Sequence, residues 1–153
     1  MKLSKNLRLV EMIRSESAKR LGISNQPTQE HIENMMLLAQ KVFEPIRAYF
    51  DTPIYISSGY RSSALNKAIK GAASSQHCAG EAIDIDMDGS SVITNKDVFM
   101  YIKDNLEFDQ LIWEFGDDNN PDWVHVSYTK HGNRKQVLVA FREDKQTKYR
   151  NWV

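Results

Sequence analysis

"SSQHCAGEAIDIDMDG", residues 74–89, places one histidine, one cysteine, one glutamate and three aspartates in a single short stretch. Its second half sets the reading. "AIDIDM" alternates strictly, so on a strand Ile83 and Ile85 share one face while Asp84 and Asp86 share the other. A strand in a sheet interior tolerates acids on one face only where something compensates them, because a desolvated carboxylate is costly. The ordinary reading is that both aspartates face water, as most acidic residues do. His77 taken alone is likewise an ordinary surface or capping histidine. The balance shifts at "DWVHVSY", residues 122–128, where His125 stands mid-strand with Trp123 and Ser127 on its face. Two histidines and one carboxylate form a three-ligand set that leaves zinc an open position for water, the pattern of catalytic zinc sites. Zinc in such a set brings the pKa of a water to about 7. Cys78 would close that position, and adjacent residues rarely bind one ion together, so it reads as a small packed thiol.

Nearer the N-terminus, Ser15 or Ser17 can cap a short helix over "ESAKRL", closed by Gly22. A longer helix follows Pro27 and Thr28, with Ile32, Met35, Met36, Ala39, Val42, Phe43, Ile46 and Phe50 spaced by threes and fours. Pro45 should kink it or end it early. "TPIYISS" reads as a strand, "SSALNKAIKG" as a short helix, and Thr94 as the cap of a helix through Val98, Phe99 and Ile102. "QLIWEF", "DWVHVSY" and "QVLVAF" are three further β-rich segments. Helices early and strands late predict an α+β fold, an antiparallel β-sheet with helices packed against it.

The chain has 153 residues, the size of one domain, with no linker or repeat. Twenty basic residues balance twenty acidic ones, which argues against a nuclease, a nucleic-acid partner or an anionic membrane. With Cys78 alone, no intramolecular disulfide can form. "MKLSKNLRLVEMIRSES" lacks the apolar run of a signal peptide, and nothing approaches the ~20 apolar residues of a membrane span. The expectation is a monomer made in the cytoplasm without a signal peptide. Any action outside the cell then needs release by another factor or carriage in a virion.

"SSGYRSSALN", "SSQHCAGEAIDID" and "WVHVSY" together resemble the D-alanyl-D-alanine carboxypeptidase (VanY-like) family of zinc peptidases. The likeness is to its small phage-type members, which act as cell-wall lysins. "GISNQP" and "FEPIRAYF" also look like that subgroup. The resemblance implies a zinc site in a cleft on the sheet, a single catalytic domain over 1–153 without a wall-binding domain, and bacterial peptidoglycan peptides as substrate. It implies His77, Asp84 and His125 as ligands of one zinc, and Asp86 as a residue outside the ligand set. Arg61, from the S-G-Y-R motif, would bind the peptide and polarise the scissile carbonyl; a guanidinium is always charged and suits an oxyanion or a terminal carboxylate. Ser58 and Gln76 would make secondary substrate contacts.

The general base has two candidates. The family places an acid three residues before the second histidine, which is Asp122 in "PDWVH", preferred on that ground. Three residues apart on a strand means opposite faces, so Asp122 must occupy a bend before the strand. The rival is Glu114, an acid interrupting the apolar "LIWEFG". His31 and His131 read as surface residues, and Trp113, Trp123 and Trp152 as core or cleft wall. A reading from a different class is a binding or structural module that keeps the zinc pocket without catalysis, as the hedgehog signalling domain does.

Overall fold

The computed structural model describes residues 1–153. A small hairpin of β1 (Lys2–Ser4) and β2 (Leu7–Arg8) leads into helices α1 (Leu9–Ile13), α2 (Glu16–Leu21), α3 (Gln29–Leu38) and α4 (Glu44–Phe50). There follow β3 (Ile56–Ser58), α5 (Ser63–Ala68), β4 (Ala82–Ile85), α6 (Asn95–Asn105), β5 (Gln110–Glu114), β6 (Trp123–Ser127), β7 (Gln136–Glu143) and β8 (Gln146–Asn151). The helix ends are made by local chemistry. The Ser15 hydroxyl accepts from Ala18 N at 3.1 Å and Gly22 closes α2 in the left-handed conformation. Thr28 caps α3 reciprocally with His31, which is half-buried in that role rather than a free surface residue.

The break expected at Pro45 takes the form of one widened π-helical turn, Ala39–Phe43, between α3 and α4. Proline has no N–H to donate, and its ring would collide with the carbonyl one turn back. A wider turn relieves both problems and keeps the helical direction. Met35, Leu38, Val42, Phe43 and Ile46 therefore stay in one core.

The main sheet has the order β3-β4-β6-β5-β7-β8. It is mixed, because β5 and β7 run parallel, which corrects the antiparallel sheet expected from sequence. The cause is where the chain goes after β6. Residues 128–135 step across the start of β5 and lay β7 along its far side. Backbone bonds from Lys135 to Phe108 and from Gln136 to Asp109 anchor the step. The Arg134 guanidinium grips the buried Asp109 carboxylate at 2.9 and 2.8 Å. Strand β8 then returns through a two-residue turn, Asp144-Lys145, with both residues left-handed. Strand β3 is shorter than "TPIYISS" suggests, and a register shift between Ile56 and Ser58 carries Ser58 opposite Asp84.

All the helices that build the core pack on one side of this sheet. Ile83, Ile85, Leu111, Trp113, Val124 and Val126 meet Phe43, Ile46, Phe99 and Ile102 there. Each fully buried aliphatic side chain contributes roughly 1.5–3 kcal/mol. By alternation, the other face carries Asp84, His125, Ile112 and Leu138 as one in-register row. Trp123, Glu114, Ala140 and Tyr149 form the next row.

The Asp109–Arg134 pair gives the first prediction. Hydrogen bonds from Arg134 hold the Asp109 carboxyl down at about 2, against the opposing effect of burial. A depressed carboxyl stabilises the fold fully above its unfolded value and loses that contribution as pH falls through its folded value. Asp109→Asn should lower the unfolding free energy by about 1–2 kcal/mol at pH 7, the exposed Arg134 limiting the effect. In urea unfolding the deficit should shrink towards pH 2; a deficit that does not change with pH would be inconsistent with this pairing.

Candidate metal centre

The turn carrying His77 is built tightly. Ser75 accepts the His77 N–H at 3.2 Å at the start of a 3-10 turn, Gln76–Ala79. Asn34 of α3 donates to the Ala79 carbonyl at 2.9 Å. Gly80 ends the turn at φ +75, where an added Cβ would lie 2.6 Å from the His31 carbonyl oxygen. Only glycine allows both that conformation and that close approach. The turn is thus pinned to α3.

His77 is buried, with Nδ1 2.7 Å from the Gly59 carbonyl oxygen. A carbonyl can only accept, so Nδ1 carries the proton and Nε2 presents a lone pair. That Nε2 is buried without a hydrogen-bond partner, 3.3 Å from Asp84 Oδ1. His125 Nδ1 lies 3.0 Å from the same oxygen. This closeness follows from strand pairing, since Asp84 and His125 are direct cross-strand partners. The potential ligand atoms of His77, Asp84 and His125 all lie within 4.8 Å of one another. An orphaned imidazole nitrogen and a second nitrogen converging on one carboxylate oxygen fit a divalent cation with nitrogen and oxygen preferences. The outer contact of His77 to Gly59 matches the way metal-bound histidines are usually oriented.

Burial alone would raise the Asp84 carboxyl. The two neighbouring histidines overturn that and hold it far below the usual carboxylate range. Asp84 therefore stays ionised while almost fully enclosed.

Arg61 stands beside this set, with Nη2 3.9 Å from Asp84 Oδ2. Its backbone N–H donates to the His77 carbonyl at 3.1 Å, tying the two motifs together. Asn66, a buried residue of α5 that the sequence reading passed over, accepts from Arg61 Nη1 at 3.1 Å and donates to Ala72 O at 2.8 Å. Gly71 leaves room for this contact, since a Cβ there would fall 2.0 Å from Asn66 Oδ1. Arg61 Nε is buried with no partner. The guanidinium is thus held firmly with donor capacity in reserve.

The two acids proposed as base have different surroundings. Glu114 is buried on the metal face; its strand partner is Trp123, and its neighbour Ile112 pairs with His125. That makes Glu114 a diagonal neighbour of His125, roughly 7 Å away between backbones. Burial chiefly raises its carboxyl to about 7; Asp84 adds to the rise, while His125 and Arg61 oppose it. Asp122 occupies the bend before β6, as expected, but its side chain is exposed. Its backbone N–H donates to Glu114 O at 2.9 Å. The cavity it borders is lined by Trp113, Phe115 and Trp152, and none of His77, Asp84, His125 or Arg61 reaches it.

Of the remaining expectations, Ser58 lies opposite Asp84 across β3 and β4. Gln76 is adjacent to His77, but its amide donates to Asp109 at 2.9 Å, leaving its Oε1 buried and unpartnered. Asp86 is engaged by Asp88 N and Asn95. Cys78 is outside the metal-competent group, partly buried, its thiol pushed up by that burial. His131 is exposed in its turn. No helix is long and apolar enough to cross a membrane.

The raised Glu114 carboxyl has a measurable consequence in protein stripped of divalent cations. The folded chain holds this proton more tightly than the unfolded chain, so stability falls as pH rises from about 4.5 to about 7. Glu114→Gln, which cannot ionise, should therefore be more stable than the parent by about 2–3 kcal/mol at pH 8 and no more stable at pH 4. Thermal unfolding at the two pH values measures the difference; an equal gap at both would contradict a buried, titrating Glu114.

No curated protein matches the chain. Residues 5–127 match the family model described as Peptidase M15, a span that includes Arg61, His77, Asp84, Glu114 and His125. With most of its length and every member of this cluster inside that match, the chain belongs to the peptidase M15 family, the VanY-like D-alanyl-D-alanine metallopeptidases.

Proposed function

We propose that the chain is a zinc-dependent peptidase that hydrolyses peptide bonds in the stem or cross-bridge of bacterial peptidoglycan, of the phage lysin type. The observation that carries this is the convergence of His77 Nε2 and His125 Nδ1 on Asp84 Oδ1, with Arg61 and a buried Glu114 beside them. Two imidazoles and one carboxylate are the ligand number of catalytic rather than structural zinc sites. Zinc held there supplies Lewis-acid polarisation of the substrate carbonyl and an acidified water at neutral pH.

The chain's own residues supply the rest. Glu114 takes the proton of the attacking water and returns it to the leaving amine, so no net proton is consumed on the enzyme. A carboxyl near 7 suits both halves of that transfer, and a cation nearby would favour its ionised form. The surroundings of Glu114 support it over Asp122, whose carboxylate is exposed beside a different cavity. Arg61, held by Asn66, stabilises the developing oxyanion with donors that need no reorganisation. Asp84, ionised and hydrogen-bonded to His125, lies where the two histidine nitrogens face one point.

Two measurements test this reading. Glu114→Gln should cut the rate of amine release from purified peptidoglycan by about 10²–10⁴-fold while one zinc per chain is retained. Asp122→Asn should stay within a few-fold of the parent. The reverse ranking would move the base to Asp122, and full activity in both would sink the mechanism. Separately, zinc at a hundredfold excess over its dissociation constant should stabilise the chelator-treated protein by about 2.7 kcal/mol. His77→Ala should abolish that stabilisation. Zinc bound with no new amino termini would instead favour a non-catalytic module.

A further inference from the structure

Strands β7 and β8 lie beyond the segment that matches the family, which ends at Ser127. They continue the sheet past β5 and so lengthen the floor on which the metal centre stands. Ala140 pairs with Glu114 on one side and with Tyr149 on the other. Cross-strand partners project from the same face, so Tyr149 shares the face of Glu114, Trp123 and His125. Ala140 is only 1% exposed although β7 has its main contacts with β5 and β8 rather than with a helix. Its neighbours in the row are the larger Glu114 and Tyr149. Tyr149 itself remains 55% exposed and can meet a ligand.

We propose that Tyr149 forms a substrate subsite of this centre, its phenol hydroxyl donating a hydrogen bond to a backbone carbonyl of the bound peptide away from the cleaved bond. The inference rests on the peptidase reading and adds to it a requirement for substrate length. Neighbouring strands are about 4.8 Å apart, which places the Tyr149 backbone roughly 10 Å from that of Glu114. An extended peptide advances about 3.3 Å per residue, so the contact falls roughly three residues from the scissile bond. The phenol is raised above its ordinary value by partial burial and by the charges of Glu114 and Asp84. It stays a neutral donor at physiological pH. Those carboxylates would repel an anionic group, which is why a neutral carbonyl is the expected acceptor.

The test compares Tyr149→Phe with the parent zinc enzyme on two synthetic stem peptides. One extends at least three residues to either side of the cut bond, and the other stops after one. On the long peptide KM should rise about five- to tenfold with kcat within twofold, while the short peptide shows no change. Tyr149→Ala should match Tyr149→Phe on the short peptide, since Tyr149 is distant from the reacting bond. Unchanged KM on the long peptide would overturn the inference alone, as would an equal loss on both peptides. A parent enzyme that holds zinc and cuts neither peptide would overturn the peptidase reading as well.

Discussion

One cross-strand pair organises the site. Asp84 on β4 faces His125 on β6, and the strand register brings Nδ1 to within 3.0 Å of the carboxylate. A buried carboxylate is tolerated only when compensated, and here the His125 hydrogen bond and a nearby guanidinium do so. The hydrophobic core holds the register. A slip of one residue would turn Ile83, Ile85, Val124 and Val126 away from the helices and Asp84 into them. The apolar side of the sheet thus maintains the geometry of its polar side.

The third member of the cluster comes from a different kind of element. His77 rides on a short turn that β-pairing does not constrain, and its position depends on contacts with Asn34, Gly59 and the close approach at Gly80. Arg61 is attached to the same turn through the His77 carbonyl. His77 and Arg61 are therefore positioned together, one on each side of the same backbone hydrogen bond. The cost is a set of buried polar atoms without protein partners: His77 Nε2, Arg61 Nε and Gln76 Oε1. Unpaired buried polar atoms cost free energy in the isolated chain, and two of the three belong to His77 and Arg61, which both face Asp84.

Much of the architecture was legible in the residues. The caps at Ser15, Thr28 and Thr94 and the glycine stop at Gly22 follow from side-chain chemistry one turn away. The alternation of "AIDIDM" and "WVHVSY" correctly divides core-facing from site-facing residues. What was not legible depends on partners distant in sequence. The parallel pairing of β5 with β7 is decided by where residues 128–135 cross, which depends on Asp109 and Arg134 meeting. Strand β8, "QTKYRN", has no apolar pattern and no glycine in its turn, because an edge strand open to water needs neither.

Local periodicity and an ordered motif are enough to read the α+β class, the two strands that carry Asp84 and His125, and the family to which the chain belongs. Only the tertiary structure separated Glu114 from Asp122. Both are acids near His125 in sequence, but strand pairing buries one on the metal face and leaves the other exposed at a bend. Burial and register are properties of neighbouring strands, and no single strand's residues encode them.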